Sequence, residues 1–476
     1  MVSVDRVAID RLHILNLPHR FYPRIASNAW IREVATVRDK GMDSPGGRIA
    51  FALLAAAVLT SLTACGGSLN SIGSSPKGTT VTASFTGAQM PSAVAYQAGT
   101  TGQFQSLALN GYSVSFTLPV ETSAYGFAYI CPAFAAGSFT FSNESIIQAT
   151  TTDTTSLSFA CPSLSGNIRA TFDVSAIPGA TQTMFYEGYW ADQMFGTSGA
   201  QFLYGVPTGK LDVALVAMGD DNAALGIQIQ RGVNVTSSTS IAFPPMTAAD
   251  ELGSAPATIT NVPSGATGDF DTTYQTSGGL SALLPVSYTT GVPQSTYPTV
   301  PSSQSQLGDF YLIQAGAEFP NNPFIASGDP LAMVSSTNAS AVTVALPSPL
   351  SSPTAAPAAA VFPTFNVIAD DFTVAGTVVN SSFTQFQIQR SPIVYNTYTY
   401  VTKTWLGTNT TFTVPDLSAL TGFAPAPPSG ATEFWALYST AGTPLEFNPV
   451  QQSGVEFLSS PMSTQSVQTS GAFTVP

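Results

Sequence analysis

Charge is scarce in this sequence: only 9% of its 476 residues are Asp, Glu, Lys or Arg. That is too little for long solvated helices or for ordinary disorder, both of which depend on charge to stay in water. Histidine is scarcer still, because the two present, His13 and His19, both lie before residue 20. Everything after them lacks the imidazole that Ser/His/Asp and Cys/His catalysis, histidine proton shuttles and the usual zinc sites require. No glycine-rich phosphate loop or nucleophile elbow stands in a strand-to-helix setting, which argues further against an enzyme. Long stretches with helical periodicity are missing as well.

Basic residues are few and unevenly placed. Eight of the 14 Lys and Arg, and five of the 27 Asp and Glu, precede Cys65, so the remainder carries six basic against 22 acidic residues, a formal charge of −16. Such a surface has nothing to neutralise phosphates, and nucleic acid is excluded as an expected partner.

What is present begins with an apolar run. Ile49 to Leu62, "IAFALLAAAVLTSL", is 14 residues without charge after Arg48, short of the roughly 20 that span a membrane but right for a signal-peptide core. It runs into Leu62, Thr63, Ala64 and Cys65. These four residues resemble the lipobox of bacterial lipoproteins. The resemblance implies that Cys65 receives a diacylglyceryl group, becomes the first mature residue and anchors the chain to a membrane, as two acyl chains do stably. Gly66 stands where, in that family, an aspartate retains proteins at an inner membrane, so the resemblance implies an outer membrane or cell surface where two membranes exist. Residues 65–78 are Gly/Ser-rich and read as a flexible tether. Residues 1–41 fit no targeting pattern, and Met42 fits as the start of a leader over 42–64, leaving 1–41 as a disordered extension of the gene model.

Two further cysteines, Cys131 in "AYICP" and Cys161 in "SFACP", form an even pair in an exported chain and read first as a disulfide. A metal site or a reactive thiol are the rivals. The lack of histidine and of a third thiol in the mature chain argues against zinc.

Beyond residue 78 the sequence consists of short alternating runs broken by Gly, Pro, Ser and Asn, such as "TTVTASFTG", "YSVSFTLP" and "YGFAYIC". A period of two marks strands with one buried face, and many such strands with turn signals predict an all-β chain of tandem antiparallel β-sandwiches. The entering strands "VTASFTG", "IRATFDV", "ATITNVP" and "FTVAGTV" rhyme, which suggests four units over 79–160, 161–243, 244–368 and 369–476. Two Pro-rich stretches punctuate the array: 347–363 reads as a linker or long loop before the last unit, and 291–306 as an insertion or binding loop. Trp405 and Trp435 lie in alternating runs and are expected in strands of the last core. In their strand grammar these units resemble the Ig-like and carboxypeptidase-regulatory-like sandwiches of bacterial envelope lipoproteins.

Carboxylate chemistry remains open to such a chain, since glycosidases need two carboxyl groups at about 5–10 Å. The acidic pairs are Asp220 with Asp221, Asp250 with Glu251, Asp269 with Asp271, and Asp370 with Asp371. "MGDDNAA" has the composition of a turn. Asp269 and Asp271 share one strand face and are the candidates for calcium, the one cofactor the sequence suggests, although no EF-hand spacing accompanies them. "MFYEGYWADQMF", Met184 to Phe195, holds five aromatics in 12 residues, and Tyr186, Tyr189 and Trp190 are its candidates for a ligand platform, against a core or interdomain role. The expectation is a lipid-anchored, non-enzymatic envelope protein that binds or scaffolds other envelope components, proteins or glycans. The alternative is a surface protein that binds or cleaves carbohydrate.

Overall fold

The structure, a computed structural model, describes residues 78–86, 89–136, 139–161, 165–187, 190–194, 196–286, 295–318, 330–337, 339–346, 357–367, 377–443 and 463–476. The leader, Cys65 and the tether through residue 77 lie outside the described residues, as do Tyr189, Asp370 and Asp371.

One pairing pattern recurs. Thr80–Thr86 pairs antiparallel with Ser113–Thr117 on one side and parallel with Ser156–Ala160 on the other. Gly166–Asp173 takes Ser198–Val206 and Thr239–Ala242 in the same way. Gly253–Thr260 takes Thr296–Thr299 and Val342–Ala345. The alternation seen in the sequence explains these opening strands: Val81, Ala83 and Phe85, and Ile168, Ala170 and Phe172, are buried while the residues between them face outward. In the last unit the corresponding antiparallel pair is Thr364–Asn366 with Thr411–Thr413. It stands before residue 369, and all of "FTVAGTV" but Thr377 and Val378 lies outside the described residues.

These small sheets are the outer layers, and what closes them was not visible in the sequence. The second sandwich has its own four-stranded sheet, running Trp190–Met194, Gln182–Glu187, Gly209–Met218 and Ala224–Val235. The inner layers of the first, third and fourth units merge into one 13-stranded sheet. Two seams join them. Ser463–Thr474 pairs with Thr432–Thr443 of its own unit and with Pro330–Ser336 of the third. Ile393–Thr402 pairs antiparallel with Thr377–Gln387 and parallel with Phe139–Thr150 of the first unit.

Where the first and fourth units meet, the shared sheet is buried on both faces. On one, Phe127, Tyr129, Ile147 and Ala149 meet the first unit's outer sheet, and that core runs on to Val379 and Tyr400 of the fourth. On the other, Ala95, Ala128 and Ile146 are covered by Leu417, Leu420 and Phe423, while Val401, Trp435 and Leu437 meet Phe365 and Phe412. Burial on both faces puts polar side chains of Phe139–Thr150 inside, and they answer one another across strands. Gln385 Nε2 donates to Asn396 Oδ1 at 2.6 Å, and Asn396 Nδ2 donates to Asn143 Oδ1 at 2.8 Å. A ladder of this kind fixes register, because a slip would strand each amide without a partner.

Two expectations are corrected. Trp405 is not in a strand: Lys403–Leu406 is a single helical turn, capped by Thr402 Oγ1 accepting from Trp405 N at 3.1 Å. Asp153 of the first unit holds that cap, accepting from Thr402 Oγ1 at 2.8 Å and from Thr404 Oγ1 at 2.6 Å. The stretch 291–306 is not a free loop where it is described. Thr296–Thr299 is the edge strand of the third unit's outer sheet, the one place in a sheet where Pro298 is tolerated, and Tyr297 is buried with its hydroxyl on the Ser340 carbonyl at 2.8 Å.

Candidate functional site

Cys131 follows Ala124–Ile130 of the shared sheet and Cys161 follows Ser156–Ala160 of the outer sheet, so the chain brings the two thiols together at the end of the first sandwich. They are bonded, with Cα atoms 5.4 Å apart. The bridge ties one layer to the other and is structural.

Of the three aromatic candidates, Tyr186 takes the core or interdomain role. Tyr186 is only 3% exposed, packs in a core that joins the second and third units, and donates from its hydroxyl to the Leu283 carbonyl at 3.0 Å. Its ring is interior because the face of Gln182–Glu187 turned away from the second unit's own core is covered by the third unit. Tyr189 lies outside the described residues, and for Trp190 only the backbone is described, paired opposite Glu187. Asp269 and Asp271 do share one half-buried face of Thr267–Gln275, opposite the buried Phe270, Thr272 and Tyr274. Their ladder partners, Gly316 and Gln314, bring no third carboxylate, and no group of three or more metal-ligating side chains occurs among the described residues.

Other acidic side chains hold the structure. Asp221 Oδ1 caps its turn by accepting from Ala223 N at 3.1 Å. Asp250 gathers Thr247 N, Gln228 Nε2 and Gln304 Nε2. Arg231 of Ala224–Val235 reaches both Asp212 of its own unit and Asp309 of the third, at 3.0 and 2.6 Å. Burial pushes the Asp309 carboxyl upward, but hydrogen bonds from Arg231, Tyr274, Gln306 N and Ser277 N outweigh it and hold the group below the ordinary carboxylate range. At the seam of the shared sheet the balance reverses. Burial raises Glu144 to about 7 against hydrogen bonds from Ala424 N and Thr397 Oγ1, and raises Glu433 to about 8. Neither the sequence pattern nor spacing singled out Arg231, Asp309 or Glu144, whose partners are distant in the chain.

One feature is instead turned to the solvent. Phe202 and Tyr204 project from the edge strand Ser198–Val206 at 59% and 60% exposure, with the intervening Leu203 buried. Their ring centroids are 6.3 Å apart and their planes lie within 17°. Arg169, directly opposite Phe202 on Gly166–Asp173, holds its guanidinium carbon 5.8 Å from that ring's centroid. Two rings left more than half in water forgo about 1–2 kcal/mol each of burial. Phe202 and Tyr204, two apart in "QFLYG", share the outward face of this strand, and Leu203 between them points to the core.

No protein-family model matches the chain, and no curated protein sequence does. Among solved structures, the pilus adhesin SpaC from Lactobacillus rhamnosus GG aligns over 68% of this chain and 43% of its own at 12% identity, with a TM-score of 0.14. This chain thus spans less than half of that adhesin's length. A tetra-tandem repeat from the extending region of a large adhesion protein aligns over 84% and 99% at 10% identity and TM-score 0.11. The Bacteroides ovatus protein SGBP-B, solved with a mixed-linkage heptasaccharide, aligns over 79% and 89% at 10% identity and TM-score 0.11. At scores this low nothing about those proteins' ligands transfers. The strand topology itself establishes the class, an all-β chain of tandem sandwiches, and corrects the expected antiparallel sheets to mixed ones, since parallel pairs occur in the outer sheets and at the seam of the shared sheet.

Proposed function

We propose that this chain is a lipid-anchored protein of the cell envelope whose tandem sandwiches bind or scaffold other envelope components without catalysing a reaction. The observation that carries the binding role is the exposed ring pair Phe202 and Tyr204 beside Arg169, a surface kept at a cost in burial. Asp212, Asp250, Asp309 and Glu144 support the non-enzymatic part, since each is occupied in tying segments together. The anchor is supported by the lipobox-like Leu62 to Cys65 and the tether that follows. No helix among the described residues is long and apolar enough to cross a membrane. The acidic composition of the body supports a partner other than nucleic acid.

Membrane fractionation of cells expressing the Cys65→Ala protein tests the anchor: release into the soluble fraction is expected, and unchanged retention contradicts it. Affinity capture from envelope membranes tests the role, with a saturable envelope component expected.

A further inference from the structure

We propose that Phe202, Tyr204 and Arg169 form a subsite for a neutral polysaccharide, with a sugar ring lying on the two aromatic rings and the guanidinium donating to its hydroxyls. This rests on the binding role proposed above and adds the chemistry of the ligand. A pyranose has an apolar C–H face and a rim of hydroxyls. The face matches exposed aromatic rings whose planes lie within 17°, and the rim matches the donor fork of Arg169, which lies over the Phe202 ring. Both halves are present on one outward surface. The row continues across the sheet: Phe202 stands opposite Arg169, and Arg169 stands opposite Ser240, whose exposed side chain adds a hydroxyl. Arg169 makes no ion pair among the described residues, so its N–H groups are not committed to a carboxylate.

Three other occupants fit less well. A partner strand adding to the Ser198–Val206 edge needs a straight ladder, but the register shifts between Tyr204 and Val206, and Gly199 and Gly205 adopt φ of 132° and 72°. A flat protein interface needs about 800 Å² from each partner with several buried anchors, far more than two rings provide. A polyanion would meet a chain with 27 acidic against 14 basic residues.

The test is calorimetric titration of the detergent-solubilised full chain with cellohexaose, laminarihexaose, mannohexaose, xylohexaose and polygalacturonate. At least one neutral hexasaccharide should bind saturably. Phe202→Ala and Tyr204→Ala should each weaken it tenfold or more at an unchanged melting temperature, while Tyr204→Phe should stay within threefold. Binding of none of the four neutral sugars overturns the proposal. So does equal affinity in the Phe202→Ala/Tyr204→Ala double variant, or salt-sensitive binding of polygalacturonate alone. Capture of an envelope protein by that double variant would remove the sugar site and leave the broader binding role standing, and the Cys65→Ala fractionation reads the anchor independently of both.

Discussion

Arg231 forks onto Asp309 across the junction of the second and third sandwiches, Nη2 to Oδ2 at 2.6 Å and Nη1 to Oδ1 at 3.2 Å. The carboxylate side chain is 1% exposed and the guanidinium side chain 19%. Tyr274 Oη, Ser277 N and Gln306 N donate to the same carboxylate. Asp309→Ala therefore leaves three donors without their acceptor and Arg231 with only Asp212 and the Gln304 carbonyl, and should cost about 2–4 kcal/mol in urea unfolding. Arg231→Met with Asp309→Leu should cost no less, because it strands the buried Asp212 without its cation, and adding Asp212→Asn should recover part of the loss. A triple variant no more stable than the double would contradict this account.

Glu144 Oε2 accepts from Ala424 N at 3.2 Å and Oε1 from Thr397 Oγ1 at 3.4 Å, at the seam between the first and fourth units. Burial raises this carboxyl from 4.5 to about 7, so between those values the folded chain holds a proton that the unfolded chain releases. Its contribution to stability is complete below about pH 4.5 and is lost as pH rises through 7, on the order of 3 kcal/mol at most. Glu144→Gln should flatten that part of the pH dependence, read as urea midpoints at pH 5 and pH 8. Glu433 titrates with the same sign and remains in the variant. An undiminished slope would show that Glu144 contributes nothing to it.

The Cys131–Cys161 bond closes a loop with a sequence separation of 30 and joins the two layers of the first sandwich. The chain-entropy model assigns such a loop about 3.5 kcal/mol. Cys131→Ala with Cys161→Ala should lower stability by about that amount, and peptide mass spectrometry of the native protein should recover the two cysteines linked. Free thiols at both would exclude the bond.

Gly471 lies opposite Trp435 in the ladder between the last two strands. A Cβ there would stand 2.9 Å from Trp435 Cζ2 and 3.1 Å from Cε2, inside ordinary contact distance. The indole is packed against Phe365, with ring centroids at 5.8 Å, and has little room to retreat. Gly471→Ala should cost about 1–3 kcal/mol through overpacking, measured as a fall in thermal midpoint. No change would mean that the indole shifts freely.

Much of the fold was legible in the sequence because alternation is local. Val81, Ala83 and Phe85 announce a strand with one buried face whatever it pairs with, and the pairing of Cys131 with Cys161 followed from compartment and count. Tyr186 was legible as an aromatic with a core or interdomain role open to it, but the unit that covers its strand was not. Phe202 and Tyr204 passed as ordinary strand residues for the converse reason: nothing in "QFLYG" says that this strand forms an edge.

The period of two, the scarcity of charge and the turn residues by themselves determined that the chain would build tandem β-sandwiches, since each requires only neighbours within a strand or turn. Only the tertiary structure decided that three of those sandwiches share one sheet. Strand Phe139–Thr150 finds Ile393–Thr402 some 250 residues later, and backbone hydrogen bonds accept any strand. What selects the partner is complementarity, Asn143 to Asn396 to Gln385 on one face and apolar layers on both, and that exists only once all the strands are in place.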